Sequence, residues 1–180
     1  MLDHPPMPLP PTSIDPTHPP HTPPPPLPLP SARLPLPYTH LGLIPCAGGT
    51  QRLPRLCGAA MALEIMFNGT PISAQDAFAA GLIDRLADGD LRQAALTYAA
   101  ELQTLRRSSD ATSHLADKAA FEAALQNAAK TAASRMRGQM APLKIVDCVR
   151  ACITQPFADG RRFDSDCFLD CLVAELSKGM

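Results

Sequence analysis

Leu41-Gly42-Leu43-Ile44-Pro45-Cys46-Ala47-Gly48-Gly49-Thr50-Gln51-Arg52-Leu53-Pro54-Arg55-Leu56 is the stretch on which the fold turns. A short apolar run closes at Pro45, and Ala47-Gly48-Gly49-Thr50 then offers glycines for a sharp turn ahead of a helix. Thr50 is the candidate N-cap. Pro54 cannot sit deep inside a helix, so the first helix is expected to be short. Gly58 separates it from a second one, Ala59 to Phe67, which stops at Asn68-Gly69.

Downstream, Ser73 is placed to cap a helix with Asp76 in its positive first turn, and Gly81 closes it. Leu82-Ile83-Asp84-Arg85-Leu86 reads as a short strand or extended segment. Asp88-Gly89-Asp90 then turns the chain into a helix from Leu91 to about Leu105. Residues 106 to 117 are a polar surface connection. Lys118 to Arg137, with apolar positions Phe121, Leu125 and Ala129, is an amphipathic helix ended by Gly138. Pro142 opens the next, through Ile153, and a last helix runs from about Arg161 to Ser177 with Phe163, Cys167, Phe168, Cys171 and Leu172 on one side.

Upstream the character is different. Sixteen of the 21 prolines fall in the first 37 residues, as in Pro23-Pro24-Pro25-Pro26. Such a segment donates few backbone hydrogen bonds, so residues 1–40 are expected to be disordered with stretches of polyproline II. The foldable remainder is rich in Ala and Leu and free of Trp, which favours closely packed helices and leaves room for at most two short strands.

Sixteen basic residues stand against 17 acidic ones, a net charge of −1, so nothing favours nucleic acid as a partner. The basic pairs Arg106-Arg107 and Arg161-Arg162 read as solvated helix ends and loops. No run reaches the roughly 20 apolar residues that cross a bilayer, and Met1-Leu2-Asp3-His4 has no secretory pattern, so a cytoplasmic protein is expected. Cys148, Cys152, Cys167 and Cys171 form two i, i+4 pairs on predicted helices. Structural zinc prefers tight CxxC knuckles, so these are read as buried thiols, with no metal site.

The quoted stretch resembles the segment of the crotonase (enoyl-CoA hydratase/isomerase) family written LGLIPGAGGTQRLPRL. The likeness continues through Ala62-Leu63-Glu64, Asn68-Gly69-Thr70-Pro71-Ile72-Ser73-Ala74, Ala77 and Gly81-Leu82-Ile83-Asp84. Gly89-Asp90-Leu91, Ala141-Pro142-Leu143-Lys144-Ile145-Val146-Asp147, Pro156-Phe157 and Ser177-Lys178 are similar to the end of the hydratase domain in multifunctional fatty-acid β-oxidation proteins. The resemblance implies a mostly α chain, a truncated C-terminal portion of the crotonase α/β spiral of ββα units, behind a proline-rich segment. Its parts are residues 1–40, the motif segment and helices of 41–105, the connection 106–117, and the C-terminal helices 118–180, which resemble a linker to a dehydrogenase domain. No GxGxxG fingerprint accompanies them.

The family adds water syn across the 2,3 double bond of an enoyl-CoA. That chemistry needs hydrogen-bond donors at the thioester oxygen and carboxylates that orient and deprotonate water. By resemblance the two donors and one glutamate lie upstream of the matched segment, where this chain is proline-rich. The second glutamate lies four residues before the glycine of LGLIP, where this chain has Tyr38 after Pro37. A phenol titrating near 10 is a poor base at neutral pH. No catalytic residue is therefore assigned. Leu43, Pro45 and Cys46 are expected beside the acyl-CoA pocket, with Cys46 replacing a glycine and exposed to crowding or an unfavourable φ. Gly48, Gly49 and Thr50 serve the turn. His40 lacks a carboxylate partner in the motif, and Arg52 and Arg55 are read as exposed ion-pairing groups.

Three readings follow. The first is an enoyl-CoA hydratase/isomerase fragment, inactive alone because its oxyanion donors and both glutamates are missing; the abrupt change near residue 40 is what a frameshift or a mis-called start would produce. The second is a working enzyme completed by another chain. The third is a non-catalytic binding or oligomerisation module with a proline-rich recruiting tail. Coenzyme A enters as part of the substrate, no separate cofactor is implied, and exposed apolar helix faces imply self-association.

Overall fold

The computed structural model describes residues 27–101 and 107–174. The prolines of residues 1–26, the stretch 102–106 with Arg106 and the expected end of the Leu91 helix, and Ser177-Lys178 lie outside the described residues.

Six α-helices, two short 3-10 turns and one small sheet are found among the described residues. The strands and α-helices are β1 (Arg33–Leu34), α1 (Gly49–Asn68), β2 (Ile72–Ser73), α2 (Ala74–Ala79), α3 (Leu91–Glu101), α4 (Lys118–Arg135), α5 (Met140–Thr154) and α6 (Phe157–Val173). The mostly helical reading holds, and the strands differ from those expected. Leu82 to Leu86 is irregular, while β1 pairs antiparallel with β2, Arg33 opposite Ser73 and Leu34 opposite Ile72.

The stretch 27–40 is thus not the disordered tail expected. Only Pro35 and Pro37 interrupt residues 31–40, leaving backbone groups free to pair. The Ala32 carbonyl accepts from Ala74 N–H at 3.1 Å, and the Pro28 carbonyl from Ala87 N–H at 2.8 Å. Ala32 and Leu34 pack on a small cluster of Ala74, Ala77 and Ile83. Pro37–Leu41 then forms a 3-10 turn with Pro37 at its start.

α1 bends where the sequence places a break. Gly58 has φ 79° and ψ 162°, a combination open only to glycine, so two helical pieces meet there. Pro54 sits inside the first piece and cannot donate to the Thr50 carbonyl, which receives the Cys152 thiol at 3.5 Å instead. At the far end, the Thr39 hydroxyl donates to the Met66 and Phe67 carbonyls at 3.1 and 3.3 Å, and Gly69 ends the helix at φ 61°.

α2 follows its predicted design. The Ser73 hydroxyl accepts from Asp76 N–H at 3.0 Å and donates to the Asp76 carboxylate at 2.6 Å. Its far end carries both Schellman bonds, Gly81 N–H to Phe78 and Leu82 N–H to Ala77. Asp90 and Asp117 cap α3 and α4 through Gln93 N–H and Ala120 N–H.

The main core lies among α1, α4, α5 and α6. Ile44, Met66, Leu125, Ile145, Cys148, Val149 and Cys171 are completely buried in it. α4 contributes Phe121, Leu125, Ala128 and Ala132, and α3 contributes no buried residue. α6 begins at Phe157, earlier than expected, because Pro156 is a good residue immediately before a helix. Its inward stripe is Gly160, Asp164, Cys167 and Cys171, while Leu172, expected inside, is 46 % exposed. No helix among the described residues is long and apolar enough to cross a membrane.

Candidate functional site

Pro45 is fully buried and closes the apolar run, and Leu43 packs at the edge of the main core. The chain then makes two consecutive left-handed steps, Ala47 at φ 56° and Gly48 at φ 81°, before α1 begins at Gly49. The unfavourable φ expected at Cys46 falls one residue later, on Ala47, which bears a cost of roughly 1–2 kcal/mol for a left-handed non-glycine residue. The N-cap position belongs to Gly48 rather than Thr50, and Gly48 has no side chain with which to cap. A Cβ on Gly49 would come within 2.8 Å of the Pro45 Cβ, so the turn folds tightly on itself.

The missing cap comes from α6. Asp164, 1 % exposed, accepts from Gly48 N–H at 3.1 Å and from the Thr50 hydroxyl, which is buried within the first turn of α1. A carboxylate at this position also meets the positive end of the helix. Burial pushes the Asp164 carboxyl above the usual carboxylate range, against the opposing pull of the Thr50 and Gly48 bonds and of Arg161. The Arg52 guanidinium donates to the Ala47 carbonyl, and its own affinity for protons is lowered by burial and by Arg161.

Next to this turn the Gln51 side-chain amide donates to the Cys148 carbonyl at 2.5 Å and its oxygen accepts from the Cys152 thiol at 3.4 Å. Gly160 of α6 lies against Gln51, where any Cβ would collide with the amide. Arg55, expected to be exposed, is 4 % exposed, stacked 4.9 Å from the Phe157 ring centroid and bonded to the Gln51 carbonyl. The six residues from Gln51 to Leu56 place Gln51 and Arg55 one turn apart on the face that meets α5 and α6, which is why both are inside.

Tyr38 reaches the site. Its hydroxyl lies 3.4 Å from the Cys46 thiol, and that hydrogen bond, with burial, raises the phenol above its usual range. Cys46 itself is exposed. A cavity of about 180 Å³ is lined by Cys46, Ala47, Asp164, Ser165, Phe168 and Leu169. His40 lies apart from it, against Gly69 at the end of α1. Burial pushes the Cys57 thiol up to about 12 and Cys152 to about 11, and Cys148, Cys167 and Cys171 also rise. These are packing thiols, poor nucleophiles at neutral pH.

Asp164 is a site residue that no local motif singles out. The available signal was its register: it occupies an inward position between Gly160 and Cys167 on α6, where a carboxylate requires buried partners.

The turn and the helix that follows lie within a stretch that matches a known family by sequence. The sequence profile of the enoyl-CoA hydratase/isomerase family matches residues 30–144, and the chain belongs to that family. The peroxisomal bifunctional enzyme of Danio rerio is 41% identical over 135 residues, covering 72% of this chain and 18% of the relative. The fatty acid oxidation complex subunit alpha of Shewanella loihica is 34% identical over 158 residues, covering 82% and 22%. The chain thus spans about a fifth of the length of these curated relatives. The enoyl-CoA hydratase/isomerase structure from Pseudoalteromonas atlantica is similar at a TM-score of 0.49 and 23% identity, over 83% of this chain and 48% of that one.

Proposed function

We propose that the chain forms the acyl side of an enoyl-CoA hydratase/isomerase site of fatty-acid oxidation and does not by itself hydrate an enoyl-CoA. Tyr38 carries this reading. Its phenol stands beside Cys46, at the position where the resemblance puts a carboxylate, and its bond to the thiol moves it further from a neutral-pH base. Cys46 is the member of the expected acyl wall that faces outward, backed from the core side by the partly buried Leu43 and the buried Pro45; the coenzyme A moiety arrives as part of the substrate, and no separate cofactor takes part. Spectroscopic assay of crotonyl-CoA with the purified chain is expected to show no loss of the conjugated thioester. Turnover that disappears when a residue of this chain is altered would overturn the proposal.

The same reading includes self-association rather than binding to nucleic acid or membrane. Met140 and Leu143 of α5 and Leu169, Leu172 and Val173 of α6 are 41 to 65 % exposed, apolar side chains that a second copy of the chain could cover. The cytoplasm is the proposed compartment; localisation of the tagged chain to peroxisomes, where the Danio rerio relative's name places that enzyme, would replace it.

A further inference from the structure

The Ala47 carbonyl and the Gly48 N–H are the two ends of one peptide unit. Arg52 holds the oxygen and Asp164 holds the N–H, from α1 and α6 respectively. That unit joins two left-handed residues, of which Ala47 gains nothing from being there. Glycine on one side leaves this peptide plane free to tilt unless its two dipole ends are fixed. Here they are fixed by opposite charges, with the carboxylate anchored in turn by Thr50 and the guanidinium packed against Gly48. Cys46 precedes this unit directly, and the cavity beside it is lined by Cys46, Ala47 and Asp164 together.

We propose that Asp164 is a positioning residue of the acyl-side turn: with Arg52 it clamps the Ala47–Gly48 peptide and so fixes the direction in which Cys46 faces the cavity. The proposal rests on the acyl-wall reading only for what the turn presents, not for the clamp itself. The Gly48 position suits the role, since a Cβ there would lie 2.5 Å from the Arg52 guanidinium and 3.3 Å from Arg161 Cγ. Neither side chain can then approach the peptide as it does.

Cys46 supplies a built-in reporter, because it is the one exposed cysteine of the six. The rate of its exchange with 4,4′-dithiodipyridine is measured in the full chain, in Asp164→Asn, in Arg52→Met and in the double variant, with thermal melting followed in parallel. Each single variant is expected to change the Cys46 rate several-fold while melting remains cooperative. The double variant should react no differently from the more affected single one, because either loss frees the same peptide unit. Rates that stay at the wild-type value, or effects that simply multiply, would overturn the clamp. Should a variant fail to fold, the wild-type Gly48 amide proton is followed by NMR on acidification. It is expected to move upfield as the carboxylate gains its proton, and an amide that does not respond overturns the proposal equally. Slowing of the Cys46 reaction by hexanoyl-CoA tests the acyl-wall reading separately: without protection, but with the variant effects intact, the acyl assignment falls and the clamp stands.

Discussion

Asp164 is held by Gly48 N–H and the Thr50 hydroxyl and faced by Arg161 on its own helix, Arg52 on α1, and Cys148 and Cys152 on α5. Burial outweighs these partners, so the folded chain binds this proton more tightly than the unfolded chain does. Its contribution to stability is therefore fully present below the ordinary carboxylate range and is lost as pH rises through the raised folded value. Urea unfolding of wild type and Asp164→Asn from pH 4 to pH 7 is expected to show the difference between them changing with pH, the wild type gaining relative to the variant as pH falls; a constant difference would refute this. Gly48→Ala is a second test at this scale. Left-handed backbone plus the collision with Arg52 should cost at least the roughly 1–2 kcal/mol of a left-handed alanine in urea unfolding.

Among the elements, α4 and α3 look alike in sequence, both alanine-rich and capped by Asp, yet only α4 is inside. Leu125 is completely buried in the core shared by α1, α4 and α5, whereas Leu96 of α3 is 58 % exposed. Leu125→Ala is expected to cost about 2–5 kcal/mol, and Leu96→Ala to stay within about 0.5 kcal/mol, both read from urea midpoints. α6 docks on α1 through Gly160, whose hydrogen faces the Gln51 amide. Gly160→Ala should displace Gln51 from the Cys148 carbonyl and cost about 1–3 kcal/mol, an overpacking penalty. Loss of no stability there would mean that α6 can shift without consequence.

At the scale of the whole molecule, five of the exposed apolar residues, Met140, Leu143, Leu169, Leu172 and Val173, lie on the start of α5 and the end of α6, which the Lys144–Asp170 ion pair joins at 2.8 Å. That pair is partly exposed and contributes little to stability. Sedimentation is expected to show concentration-dependent association that Leu169→Lys with Val173→Lys reduces, with little change in the urea midpoint. Unchanged association in the double variant would place the contact elsewhere.

The sequence by itself determined the local structure: the motif of residues 41–56, the break at Gly58, the Ser73 cap, the Gly81 stop and the alternation of helices, since each depends on dihedral preferences or partners within a few residues. It also carried the family, because that match is collinear. The tertiary structure alone decided what the far ends of the chain do for one another. The pairing of Arg33–Leu34 with Ile72–Ser73 and the capping of Gly48 by Asp164, 116 residues away, depend on which surfaces pack together. Local pattern placed Thr50 as a cap and Arg55 in solvent; the packing of α6 against α1 turned Thr50 inward toward a buried carboxylate and covered Arg55 with Phe157.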